Sequence, residues 1–388
     1  MSRNLIVGQS GGPTAVINAS LAGVVEAAAQ SREIDRIFGM RRGVEGLLSG
    51  EILELTSVPQ ERLDVLATTP GAALGACRRR ISEGEAAELA ANLAAREIGF
   101  LAYIGGNDSA DTTHKLACAA GSALRAVAVP KTIDNDLPET DHCPGYGSAA
   151  RYVAIAAAES TLDTRSLPTN YPVKIIEVMG RDAGWLAAAS GLARQDFESG
   201  PHLIYVPEIA FDISAFLARV AEIHARIGYV VIVVGETVRD SEGKPVAREV
   251  ASVDTFGHPI TRGTAESLVR AVEGELGIPA RAEKPGTLQR SSQLMQSPVD
   301  LAEARDAGRE AVRLTLDGAS DRMVTIQRVG ENPYTSRLDS VELERVANQQ
   351  CLLPRDFLDE SGTFITESFR RYAMPLLGDM PFPDYARL

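Results

Sequence analysis

The chain alternates between short apolar runs and alanine-rich helical patterns, and the loops joining them limit the possible folds more than any other feature. Leu5-Ile6-Val7 leads through Gly8-Gln9-Ser10-Gly11-Gly12-Pro13-Thr14 into a helical pattern over residues 15–29. Phe100-Leu101-Ala102-Tyr103-Ile104 leads through Gly105-Gly106-Asn107-Asp108-Ser109 into a second, over 110–120. The run 126–129 leads through Lys131-Thr132-Ile133-Asp134-Asn135-Asp136 towards a third, over 146–162. Further on, 173–178 reads as a strand that enters Met179-Gly180-Arg181-Asp182 and a helix through Ala193. Strands are expected at 203–206 and 229–234, with a helix over about 214–226 between them. Strands separated by helices predict an α/β fold of mostly parallel sheets with helices on both faces. Ligands of such sheets gather outside the carboxyl ends of the strands, where these loops fall. From about Glu331 onward the alternation weakens.

Glycines at strand–helix junctions let backbone N–H groups approach an anion, and the helix N-terminus adds partial positive charge. No loop closes with the Gly-Lys-Ser/Thr of a Walker A motif, and none has the Gly-x-Gly-x-x-Gly spacing of a dinucleotide site. Three such loops together point to a phosphate-binding crevice. In the 131–136 loop, two carboxylates two residues apart, beside a lysine and a hydroxyl, suit removal of a proton and handling of an anion. The plainer reading of that loop is a polar β-turn, since Asp and Asn favour turns.

At 388 residues the chain exceeds one ordinary core, and two domains are expected. No run approaches the roughly 18 apolar residues needed to span a bilayer, and the N-terminus lacks a signal-peptide pattern. Cys77, Cys118, Cys143 and Cys351 form no CxxC pair and fit reduced cytoplasmic thiols, with Cys118 read as helix packing. A net charge of −13 argues against a nucleic-acid partner, which requires broad basic surface. A few arginines focused in one cleft still suffice for a small phosphorylated substrate, and Arg78, Arg181, Arg281 and Arg290 are the candidates.

Taken in order, Gly11-Gly12, Leu74-Gly75-Ala76-Cys77-Arg78, the 105–109 and 131–136 loops, Met179-Gly180-Arg181, Gly235-Glu236 and Leu288-Gln289-Arg290 resemble the phosphofructokinase family, specifically its pyrophosphate-dependent branch. The resemblance implies a two-lobed enzyme that uses magnesium to transfer a phosphoryl group to the 1-hydroxyl of fructose 6-phosphate. A donor lobe would take residues 1–146 and about 289–335, and a sugar-phosphate lobe 147–288 and about 336–388. Asp134 would be the base, aided by Lys131 and Thr132. Asp136 would hold the sugar or orient Asp134, and a loop-capping role stands beside these. Ile133, Met179, Gly180, Arg181, Glu236 and Thr287 would line the sugar, with Arg281 and Arg290 on its 6-phosphate. Gly11, Gly12, Arg78, Gly106, Asp108 and Ser109 would contact the donor, and Asn107 and Asp108 the metal. Homodimers or homotetramers are the family habit.

Two positions bear on the donor. Relatives that use ATP usually carry glycine at both 108 and 131, where this chain has Asp108 and Lys131. A carboxylate beside a nucleotide's α-phosphate adds like charge and bulk, whereas pyrophosphate ends short of it. Lys131 supplies a compact charge to a small, highly charged donor. Asn107 replaces a common metal-binding aspartate, so Asp108 is expected to carry most of the metal role. Thr287 replaces a common histidine or tyrosine, and Pro172 an arginine that crosses a subunit interface; Lys174 could substitute for that arginine. Thr287 and Pro172 motivate another acceptor such as sedoheptulose 7-phosphate, Asn107 a non-catalytic sugar-phosphate-binding subunit, and ATP as donor stands as a further alternative.

Overall fold

The computed structural model describes residues 3–247, 250–253, 259–261, 263–379 and 382–386. The chain divides into two compact units: Met1–Ser148 with Arg290–Cys351, and Ala149–Gln289 with Leu352–Leu388. The sequence placed the last crossing at 335/336. It falls after Cys351 instead, because the weakly patterned tail contributes another strand to unit 1.

Unit 1 contains strands β1 (Arg3–Gln9), β2 (Ile34–Met40), β3 (Ile52–Glu54), β4 (Ile98–Gly105) and β5 (Arg125–Pro130). It also contains β12 (Arg322–Glu331) and β13 (Tyr334–Glu342); β6 to β11 belong to unit 2. They form one sheet in the order β13-β12-β5-β4-β1-β2-β3, parallel except for the β2–β3 and β12–β13 pairs. Alternate residues feed two cores. Leu5 and Val7 pack with Val16, Ile17 and Ala307, while Ile6 packs with Leu89, Leu101 and Leu116. Both faces are therefore covered, as an apolar parallel sheet requires. β1 has β2 on one side and β4 on the other, so the strand order reverses between β1 and β4.

The helices Ile17–Gln30 and Pro298–Leu316 cross closely. A Cβ at Gly23 would overlap the Arg305 carbonyl, and one at Gly308 the Ser20 carbonyl. Beside the crossing, buried Glu26 accepts from Arg305, Arg309 and Gln60. Burial alone would raise its pKa; these bonds outweigh burial and hold it at about 2.

Unit 2 contains β6 (Val173–Val178), β7 (Leu203–Tyr205), β8 (Val230–Gly235) and β11 (Ala280–Glu283), all parallel in the order β11-β6-β8-β7. β9 (Val250–Val253) and β10 (Pro259–Thr261) pair separately as an antiparallel ribbon. One sheet face carries the helices Ile213–Ile227 and Thr264–Leu276 over a core that includes Val173, Ile175, Ile232, Phe216 and Leu268. Asp212 caps the first of these helices by accepting from the Ser214 and Ala215 N–H groups, and Gly228, at φ +83°, ends it. The helix expected through Ala193 shortens to Trp185–Ala189. In the tail, Phe357 and Tyr372 pack around Trp185, and Arg370 donates to the Gly191 and Leu192 carbonyls. All four cysteines are free, and Cys118 is exposed rather than packed. No helix among the described residues is long and apolar enough to cross a membrane.

Gly23→Ala is expected to lower unfolding stability by about 1–3 kcal/mol, because backbone blocks the added methyl. Gly274→Ala, in a helix where a Cβ meets nothing within 4 Å, should instead raise it by about 0.4–1 kcal/mol. Denaturant unfolding of the two variants checks this. Similar effects of both would show that the helices do not meet so closely.

Candidate active site

In unit 1 the three sequence-predicted loops follow β1, β4 and β5, which are consecutive neighbours in the sheet. Gln9 is in register with Ile104, and Gly105 with Pro130, so the loops leave the same edge side by side. Backbone bonds join them: Ser10 N–H donates to the Ile104 carbonyl, Gly11 N–H to Cys77, and Lys131 N–H to Gly105. Gly11 has φ +74°, a conformation that favours glycine.

Lys131 is only 3% exposed and donates to the Gly12 carbonyl at 2.9 Å. Burial pushes its ammonium pKa down to about 8; Asp134 and Asp136 pull upward, Arg290 and Arg78 downward. A Cβ at Gly12 would overlap Arg290 Nη1 and lie 3.4 Å from Arg78 Nη2. Three cations thus converge on the Gly11-Gly12 turn. Arg290, expected on the sugar phosphate, sits against the Gly11-Gly12 turn. It opens the second segment of unit 1, which brings it to Arg78 across 212 sequence positions (290 − 78).

From Lys131 to Leu137 burial alternates. Lys131, Ile133, Asn135 and Leu137 are buried, while Thr132, Asp134 and Asp136 are half-buried. Thr132, Asp134 and Asp136 therefore keep contact with solvent while the residues between them are anchored in the interior. Thr132 Oγ1 accepts from the Asp134 N–H at 3.1 Å, which ties the hydroxyl to the segment carrying the carboxylate. Asn135 takes φ +57°, and its Oδ1 accepts from the Cys143 N–H at 2.9 Å.

Gly106 precedes the helix Asn107–Ala120, whose first turn contains Asp108 and buried Ser109. A Cβ at Gly106 would make only ordinary contacts, the nearest at 3.6 Å to the Lys131 carbonyl. Packing inside the protein therefore does not demand glycine there. Asp108 differs from expectation. Its carboxylate is gripped by Arg80, at 2.9 Å from Nε and 2.7 Å from Nη2, so its charge is neutralised and its bulk remains. Nothing local in the sequence links Arg80, which there reads as part of a solvated basic run after Arg78, to a residue 28 positions away; Arg79 pairs with Glu85. Asn107 Oδ1 is buried without a hydrogen-bond partner among the described residues, which leaves it available to a cation.

In unit 2, Met179-Gly180-Arg181 follows β6 and Glu236 follows β8, again adjacent parallel strands, with Val178 in register with Gly235. Gly180 and Arg181 have φ +142° and +46°. Glu236 Oε1 accepts from the Arg181 N–H at 2.9 Å, and Thr237 Oγ1 donates to the Arg181 carbonyl, so both fix this turn. Buried Gln289 is a further anchor, accepting from the Met179 N–H at 3.1 Å and donating to the Gly286 carbonyl. Thr287 is exposed beside it. Arg281 is not brought to this cluster. It lies within β11 opposite Lys174, five residues short of Met179 or roughly 16 Å, near Glu283 and the Tyr171 ring. Lys174 is buried and paired with Asp163 and Glu283, so it does not replace a free arginine.

The phosphofructokinase family model matches residues 4–315. A pyrophosphate–fructose 6-phosphate 1-phosphotransferase from Xanthomonas campestris pv. campestris (strain B100) is 42% identical, covering 97% of this chain and 92% of its own. A sulfofructose kinase from Alkalicoccus urumqiensis is 35% identical over 92% of each chain. The crystal structure of a pyrophosphate-dependent phosphofructokinase from Nitrosospira multiformis matches with a TM-score of 0.87 and 36% identity, covering 100% of this chain and 94% of that one. With the fold, the ordered loops and the family model in agreement, the chain belongs to the phosphofructokinase family.

Proposed function

We propose that the protein transfers a phosphoryl group from pyrophosphate to the 1-hydroxyl of fructose 6-phosphate, reversibly, giving fructose 1,6-bisphosphate and phosphate. The observation that carries the donor assignment is the convergence of Lys131, Arg78 and Arg290 on the Gly11-Gly12 turn. Three cations around one backbone turn suit a compact, highly charged anion. Pyrophosphate-dependent names among relatives at 37–42% identity favour the same donor. Against ATP stands the volume of the Arg80–Asp108 pair rather than bare negative charge.

Unit 1 supplies the donor residues and the base. Thr132 fixes the backbone at Asp134, whose carboxylate takes the sugar hydroxyl's proton late, as the new oxygen–phosphorus bond forms. An ordinary carboxylate suffices there because positioning dominates phosphoryl transfer. Lys131, with Arg78 and Arg290, balances charge on the transferred and leaving phosphates. Gly106 leaves room beside the first N–H groups of its helix, and Ser109 lies in that first turn. Unit 2 supplies the sugar-side residues, Met179, Gly180, Arg181 and Glu236, the last also holding the turn that presents Arg181. Arg281 and Thr287 remain candidates for the sugar phosphate only through the family resemblance, as do Ile133 and Asp136 for the sugar.

The residues fit a divalent cation, taken here as magnesium, through Asn107 Oδ1. When bound, the ion would neutralise charge on the diphosphate. Assembly into a homodimer or homotetramer belongs to the same reading. A second acceptor reading is favoured by the sulfofructose kinase relative, together with Thr287 and Pro172.

Three outcomes test these assignments. Turnover with pyrophosphate and fructose 6-phosphate should exceed turnover with ATP, and fructose 6-phosphate should give the highest kcat/KM among phosphorylated and sulfonated ketoses. Activity with ATP alone would overturn the donor, and a better ketose the acceptor. Asp134→Ala should lower kcat by about 10²–10⁴-fold with an unchanged melting temperature, and near-normal kcat would remove Asp134 as base. Because Lys131 attracts the donor only while protonated, kcat/KM for pyrophosphate should fall as pH rises through about 8. Lys131→Met should lower kcat/KM and flatten that limb; an unchanged profile would show that Lys131 does not meet the donor.

A further inference from the structure

The loop that carries Asp134 returns through 141–145, and this return limb is fastened to the outgoing one. Thr132 N–H donates to the Pro144 carbonyl at 3.2 Å, Cys143 N–H to Asn135 Oδ1 at 2.9 Å, and Thr132 bridges Gly145. Within the return limb lies His142, 2% exposed, with a carboxylate on each ring nitrogen. Nδ1 lies 2.9 Å from Asp141 Oδ1, and Nε2 lies 2.6 Å from Glu303 Oε2. Glu303, on the helix Pro298–Leu316, also accepts from Tyr334 and Ser336 of β13 at 2.6 Å each. Asp141 is gripped by Arg328 of β12. One turn before Glu303, Asp300 accepts from the Gly145 and Ser148 N–H groups.

A neutral imidazole has one donor and one acceptor nitrogen, so it can satisfy only one of the two carboxylates. Its bare nitrogen would then face an anion within hydrogen-bond distance. We propose that His142, held as an imidazolium between Asp141 and Glu303, is a positioning residue for the 132–136 segment, and that loss of its proton releases this segment and sets the alkaline limit of turnover. This rests on the reading of 132–136 as the catalytic segment.

The charged and titratable groups facing His142 are Asp141 on its own loop, Glu303 and Asp300 on the helix, Arg328 on β12 and Tyr334 on β13. Burial alone would depress the imidazole pKa; the bonds to Asp141 and Glu303 outweigh burial and push it up to about 9. A raised histidine pKa contributes stability that is complete below the unfolded value of about 6.5. That contribution is lost as pH rises through about 9.

The test uses the full chain. In wild type, kcat should fall on the alkaline side with a midpoint near 9. His142→Gln should lower kcat at neutral pH by about ten- to a hundredfold, more than it changes KM, and should abolish that limb. Glu303→Gln removes one of the two carboxylates and should move the midpoint down by about 1–3 pH units. It decides the matter if His142→Gln fails to fold. Hydrogen–deuterium exchange over 132–137, compared at one pH, should be faster in His142→Gln than in wild type whether or not the protein transfers a phosphoryl group. Unchanged exchange there, an unshifted midpoint in Glu303→Gln, or a wild-type alkaline limb in His142→Gln would each overturn the proposal. Absence of any phosphoryl transfer by wild type, with exchange changed as expected, would instead locate the failure in the functional reading.

Discussion

The interaction on which the donor side depends is the burial of a lysine charge beside two arginines. Lys131 has lost nearly all contact with water, and its pKa falls from the ordinary lysine range to about 8. Burial of a charge among like charges is unfavourable, and such groups cluster where a ligand later supplies the opposite sign. The sheet makes the arrangement possible. Parallel neighbours β1, β4 and β5 end together, which sets Gly12 under the lysine and leaves no side chain where Arg290 and Arg78 approach. Asp134 and Asp136 supply the compensating negative charge from the same loop.

Electrostatics and volume divide the work at the neighbouring loop. Bound to Arg80, Asp108 no longer presents an uncompensated anion, so in the proposed reading occupied space rather than repulsion would discriminate against a nucleotide. The same pairing occupies one Asp108 carboxylate oxygen, while the Asn107 oxygen has no hydrogen-bond partner among the described residues. In unit 2 the architecture follows the same rule: adjacent parallel strands end at the Met179 turn and at Glu236, and the side chains of Glu236 and Thr237 couple the two ends through the Arg181 backbone.

Much of this was legible in the sequence because it is local. The run 173–178 forms β6 with the expected bounds, and the junction loops after β1, β4 and β5 fall where glycine spacing put them. Contacts between distant segments left no such trace. The Arg80–Asp108 pair, the Arg290 guanidinium over Gly12, and Gln289 under Met179 all depend on how strands stack rather than on any local pattern. β13 was missed because its outward positions are polar and its pairing with β12 is a tertiary event. Arg281 kept its family position in sequence, yet in this chain it lies mid-strand beside Glu283. Cys118 lies in an alanine-rich helix but on its exposed side, a difference that helical composition alone does not reveal.

The most direct measurement of the central claim is calorimetric titration of inorganic pyrophosphate and of ATP into the wild type and into Gly12→Ala at pH 7, with no sugar present. A methyl at position 12 would displace Arg290 without removing any charge. The account predicts that the wild type binds pyrophosphate in preference to ATP and that the substitution weakens pyrophosphate by about tenfold or more, the equivalent of about 1.4 kcal/mol. Equal pyrophosphate affinity in the two proteins, or ATP bound as tightly as pyrophosphate by the wild type, would contradict it.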